Sequence, residues 1–171
     1  MFGPPGMAYV YLVYGMYDCL NVVSGRDGAA SAVLVRAVEP LAGIEAMVEA
    51  RRAFAARRAR PAASPRGQHD LASGPGRLCA AFSIDRSFSG ADLCDPDGVL
   101  HLEVPAPGDR PAVPAWSPRI GVAYAGEPWT SIAWRLADLT SPALSAPIPA
   151  GARDESDPEP GLPDPRSGSQ A

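Results

Sequence analysis

Residues 8–13 form an unbroken run of aliphatic and aromatic side chains behind a Pro-Gly segment, and residues 18–24 return with Cys-Leu-Asn-Val-Val after Tyr14-Gly15-Met16. Such residues on both sides of a glycine-bearing turn predict a β-hairpin. At a period of two, Tyr9 and Tyr11 share one face and Tyr14 falls on the other, at the tip. A tip tyrosine has no core to enter, whereas a tyrosine beneath the hairpin can line a pocket. Ordinary hydrophobic packing of the tyrosines fits the same letters.

A third strand is predicted over residues 31–38. Glu39-Pro40 then suits the start of a helix, because proline is tolerated in a first turn and an acid favours the N-terminal end. Leu41, Ile44 and Val48, with Met47 beside them, supply its apolar stripe, and its far end is rich in arginine. Residues 60–75 are rich in Pro, Ser and Gly and predict a flexible loop. A short helix over 77–84 follows, with Leu78, Ala81 and Phe82 facing inward. A turn at 95–98, an alternating strand over 99–104, a proline-punctuated loop over 105–118 and a buried strand over 120–124 complete the pattern.

At 171 residues and 46% hydrophobic content the chain can bury one core. Cys19, Cys79 and Cys94 are odd in number and never form a Cys-x-x-Cys pair, and His69 and His101 are the only imidazoles, so neither a disulfide framework nor a metal site is expected. No run approaches the ~20 apolar residues of a membrane span, and no charged leader precedes an apolar one. A cytoplasmic protein is the expectation. The net charge is −4, which is awkward for nucleic-acid binding. Three of those four charges lie after residue 150, where five acids face two arginines. Arg51, Arg52, Arg57, Arg58, Arg60 and Arg66 gather positive charge in one stretch, where a solvated helix end and a phosphate-binding surface fit equally.

Five ordered blocks narrow the reading. They are residues 1–21 (MFGPPGMAYVYLVYGMYDCLN), 33–41 (VLVRAVEPL), 73–79 (SGPGRLC), 85–88 (DRSF) and 118–127 (PRIGVAYAGE). Together they resemble the alkyladenine, or 3-methyladenine, DNA glycosylase family, from Met1 to about Ser145. The resemblance implies a single α/β domain with a mixed, mostly antiparallel curved sheet, flanking helices and a protruding β-hairpin. It places a glycosylase domain at residues 1–145, lacking its N-terminal part, and an acidic Pro/Ser-rich disordered tail at 146–171.

The implied activity is removal of alkylated purines from duplex DNA, by a monomer without a cofactor or metal. The target nucleotide must leave the stack before its glycosidic bond is reachable. By resemblance, Tyr14 fills the vacated space, Tyr11 stacks on the flipped base, and Asn21 excludes unmodified guanine by clashing with its exocyclic amine. A tyrosine face favours an electron-poor or cationic ring by roughly 1–2 kcal/mol when desolvated. Arg36 and the carbonyl of Ile120 match groups that position the attacking water, and Gly76 and Arg77 match a phosphate contact before a helix. Locally, residues 73–76 fit a plain helix-initiating turn as well.

Met1 is similar to an internal methionine of the family. The family's glutamate general base belongs to the stretch before it, so a chain starting here is expected to lack its catalytic carboxylate and to show no turnover. Asp18 and Glu39 match no catalytic position. A damaged-DNA-binding remnant without chemistry is the alternative.

Overall fold

β-Branched and aromatic residues put residues 8–23 into two antiparallel strands. In the computed structural model, which describes residues 1–58, 65–108, 112–149 and 152–154, β1 (Ala8–Val13) pairs with β2 (Tyr17–Val23), Tyr9 opposite Asn21 and Tyr11 opposite Cys19. β3 (Ala32–Leu34) joins the other side of β2, giving the order β1-β2-β3. Directly opposed residues share a face. One face therefore carries Tyr9, Tyr11, Cys19, Asn21 and Leu34, and the other carries Ala8, Val10, Leu12, Asp18 and Leu20.

The second face makes the core. Ala8, Val10 and Leu20 are buried with Ala72, Leu78, Cys79, Ile84 and Leu93. The outer edge of β1 is closed by the segment that follows Phe88. Ala8 donates to the Ala91 carbonyl and accepts from the Gly90 amide. The Ser89 hydroxyl accepts from the Val10 amide at 2.9 Å and donates to the Val10 carbonyl at 3.0 Å.

Two helices flank these strands. α1 (Ile44–Arg57) begins later than Glu39-Pro40 suggests, because Gly43 takes a left-handed φ of 70° and starts the helix there. Leu41 consequently lies outside the helix and is exposed, while Met47 is buried with Leu71 and Ala81 against Ile44 and Val48. α2 (Pro75–Ala81) starts at a proline, whose missing N–H costs a first turn nothing. It stops at Ala81 because Ser83 turns left-handed at φ 55° and the Ile84 amide reaches back to the Cys79 carbonyl at 2.8 Å, a Schellman closure. The expected helix over 77–84 is thus shifted, and Phe82 is exposed rather than inward.

The stretch expected as a loose loop is ordered in its second half. Gln68–Asp70 form a 3₁₀ turn and Leu71 and Ala72 are fully buried; residues 59–64, with Arg60, lie outside the described residues. The alternation over 99–104 yields no strand. Leu100 packs on the core and the Leu102 amide donates to the Leu93 carbonyl at 2.8 Å, but no ladder forms and Val99 is 96% exposed. Nor is 120–124 a buried strand. Gly121 adopts φ 78°, the chain enters a 3₁₀ turn at Ala123–Ala125, and Tyr124 is exposed.

Instead of one curved sheet, the described strands form two three-stranded antiparallel sheets in two units. The first unit comprises Met1–Asp109 with Pro142–Ser145. In the second, β4 (Pro114–Ser117) lies between β5 (Arg135–Asp138) and β6 (Arg153–Asp154). Flanking prolines disguised β4 as loop. Arg135 is buried there, donating to the Pro147 carbonyl at 3.1 Å and to that of Ala146. Of the expected tail, 150–151 and 155–171 lie outside the described residues. Among the described residues, no helix is long and apolar enough to cross a membrane.

Gly76 offers a test of the α2–β2 contact. A Cβ there would meet the Cβ, Cγ and Cδ1 atoms of Tyr17 at 2.9 Å. Replacing glycine by alanine inside a helix ordinarily stabilises by about 1 kcal/mol. Here Gly76→Ala should instead destabilise by about 1–3 kcal/mol, as overpacking does, measured by urea unfolding.

Candidate functional site

Period-two geometry gathers the candidate pocket on the face opposite the core. The Tyr9 and Tyr11 rings stack with centroids 5.7 Å apart and planes at 29°. Asn21, 6% exposed, lies across from Tyr9 and donates its Nδ2 to the carbonyls of Tyr9 at 3.0 Å and Cys19 at 3.1 Å. Two carbonyl acceptors fix which end of the amide is nitrogen. It is mid-strand, so it does not serve as a strand-end cap. The Val35 amide donates to the Leu20 carbonyl, which carries the chain on beside β2 and brings Arg36 near Cys19.

The Arg36 Nε is buried without a protein acceptor. A guanidinium donor left this way holds hydrogen-bonding capacity for a small polar group. The Cys19 thiol, hydrogen-bonded to Tyr11, is pushed above its ordinary pKa by burial first and the neighbouring Asp18 charge second, with Arg36 opposing. A stacked aromatic pair and an oriented amide thus share one face, with the Arg36 guanidinium near Cys19. That set can hold a flat, electron-poor ring and orient a polar group beside it.

Tyr14 behaves differently. The Met16 amide bonds the Val13 carbonyl at 2.9 Å, closing a turn whose central residues, Tyr14 and Gly15, have φ of 51° and 65°. Positive φ at both positions is the I′ arrangement that favours Asn-Gly. A bulky tyrosine there is strained by about 1–2 kcal/mol. Its side chain is 86% exposed, so no packing offsets the strain. An exposed, strained aromatic at a turn is better explained by what it meets than by the fold.

The remaining predicted residues fall elsewhere. Gly76 is spent on the approach of Tyr17, and Arg77 pairs with Asp70 and donates to the Ser73 carbonyl at 3.3 Å. Ile120 belongs to the second unit, in the loop between β4 and the 3₁₀ turn at Ala123–Ala125. Asp18, opposite Leu12, faces the core side with one oxygen buried and unbonded, 3.9 Å from Arg86. Among the described residues no group of three or more His, Cys, Asp or Glu could hold a metal ion. Cys19 was given no place beside Asn21 from the sequence, though it sits two residues away on the same face, and Phe54 was not paired with Arg58, whose i,i+4 spacing signals contact.

Comparison with known proteins shows the family of the chain. The methylpurine-DNA glycosylase sequence model matches residues 1–142, and the chain belongs to that family. A Methanocella arvoryzae protein named "Putative 3-methyladenine DNA glycosylase" is 48% identical over 151 residues, covering 87% of this chain and 66% of that protein. The mouse DNA-3-methyladenine glycosylase is 41% identical over 151 residues, covering 81% of this chain and 44% of its own length. The human protein of that name is 39% identical over 151 residues, with 81% and 49% covered. The chain therefore spans just under two thirds of the archaeal relative and less than half of either mammalian one.

Two measurements bear on the site without any ligand. Tyr14→Asn creates the preferred I′ pair, and its thermal and urea unfolding should show stability equal to the parent or higher by up to about 1 kcal/mol. Burial pushes the Cys79 thiol up to about 12 and raises that of Cys19, so at pH 8 both stay protonated. A thiol reagent should then label one cysteine per native chain, the exposed Cys94, and all three in denaturant.

Proposed function

We propose that this chain forms the damage-recognising part of a DNA glycosylase of base excision repair, which turns alkylated purines of the 3-methyladenine type out of the duplex and hydrolyses their N-glycosidic bond. Family membership supports the class. The carrying observation is the split within one strand pair: an exposed, strained Tyr14 at the turn, and Tyr11 and Asn21 on a single face.

In this reading the β1–β2 hairpin protrudes and inserts Tyr14 where the flipped nucleotide was. Stacking on the neighbouring bases offsets part of an unstacking cost of a few kcal/mol. The extruded ring stacks on Tyr11, whose face favours the positive charge that alkylation creates. Asn21, held by two backbone carbonyls, is stiff enough to reject guanine through its exocyclic amine. Arg36 orients a water. As the C1′–N bond breaks, its electron pair neutralises the alkylated base, the water oxygen bonds to C1′, and a carboxylate takes the released proton.

Asp18 is not that carboxylate, because strand alternation turns it to the opposite face. No cofactor is required, and the working form is a monomer on double-stranded DNA in the cytoplasm. A phosphate at Gly76 and Arg77 would compete with Asp70 for the guanidinium.

The test measures anisotropy of duplexes with and without a tetrahydrofuran abasic analogue, and release of free base from alkylated duplex. Tyr14→Asn should lower affinity for the analogue duplex by about 5–100-fold, the worth of one stacked base, and leave undamaged duplex unchanged. Asn21→Ser should relax discrimination against guanine-derived bases before it alters excision of alkyladenine. Equal affinity of the parent chain for both duplexes would remove the reading. Selective binding with no base release, even when the chain is joined to the remainder of a full-length relative, would favour the non-catalytic alternative.

A further inference from the structure

A column of side chains runs from α1 to the turn that carries Tyr14. The Tyr17 ring, just after the turn, rests over Gly76 of α2, where no Cβ would fit. Its other neighbour is Phe54 of α1, with centroids 5.9 Å apart and planes at 22°. The Arg58 guanidinium lies over the Phe54 ring at 4.7 Å, and its Nη1 donates to the Gly15 carbonyl at 3.3 Å. Arg58 also ends α1, its amide bonding the Ala55 carbonyl. Its backbone is thereby anchored to the helix while its side chain reaches the turn.

Gly15 is the residue after Tyr14, and its carbonyl belongs to the same peptide unit as the Met16 amide that closes the turn on the Val13 carbonyl. A donor on that carbonyl opposes rotation of this peptide and so holds the turn closed beside Tyr14. We propose that Arg58 is a positioning residue for Tyr14. Stacked on Phe54 and bonded to the Gly15 carbonyl, it holds the strained turn in the conformation that presents the tyrosine to duplex DNA. Planarity suits arginine to this, since its guanidinium lies flat on an aromatic ring while one N–H points along the ring's edge. The proposal rests on the wedge role of Tyr14 above. It differs from a phosphate contact in predicting an effect that passes through Tyr14.

The experiment is a double-mutant cycle on the full chain, with the same analogue-containing and undamaged duplexes. Arg58→Ala should weaken binding to the analogue duplex about three- to tenfold, leave the undamaged duplex unchanged, and cause no further loss in a Tyr14→Asn background. Native-state hydrogen exchange should show the Met16 amide exchanging faster in Arg58→Ala, with the amides of β2 unaltered. Phe54→Leu, which removes the shelf but not the charge, should repeat both effects. Equal loss on both duplexes with a shallower salt dependence would identify a phosphate contact and overturn the proposal. Additive losses in the cycle, or unchanged Met16 exchange, would overturn it as well. Tyr14→Asn alone reports on the wedge, so failure of that reading is seen separately from failure of Arg58 to act through it.

Discussion

Opposite residues of β1 and β2 share a face, and nearly every feature of the first unit follows from which residues are opposite. With Tyr9 across from Asn21, the pocket set lies on one side and Ala8, Val10 and Leu20 are buried on the other. A slip of β1 by one residue along β2 would bring Tyr9 and Tyr11 onto the core face beside Leu20 and turn Val10 outward. Two things hold the register. The turn admits only one closure, between Met16 and Val13, and the Asn21 amide bridges both strands through carbonyls. Asn21 is therefore a structural pin of the strand pair.

The same strands separate two kinds of cost. On the core side, burial of apolar area is the main gain, at about 25 cal/mol per Å². On the opposite face the Asn21 amide is held by two backbone carbonyls, so little of its side-chain freedom remains to be lost. Asp18 marks the boundary. Its backbone belongs to β2, yet its carboxylate is turned to the core side toward Arg86.

Much of this was legible in the letters because period two is a strong signal. Residues 8–13 run without a breaker, so the shared face of Tyr9 and Tyr11 and the place of Tyr14 at the turn follow from alternation, whereas Asn21 and Arg36 were singled out by family resemblance alone. Elsewhere local pattern lost to backbone conformation. Gly43 and Gly121, both left-handed, displaced a helix start and abolished a strand, and Ser83, a residue with no evident preference for positive φ, ended α2 early. The prolines at 114 and 118 hid β4, and residues 99–104 alternate without a partner strand to pair with. The Phe54–Arg58 column depends on α1 meeting the turn, a long-range contact that composition does not encode.

The Ser89 hydroxyl occupies the place of a neighbouring strand, donating and accepting at Val10. A strand whose outer edge is closed by a loop rather than by another strand remains a template for foreign chains if that loop leaves. Solubility of the first unit therefore leans on one side-chain oxygen and two backbone bonds. When β1 is pulled from its end, the same contacts keep the strand from peeling away from its own unit and toward a second molecule.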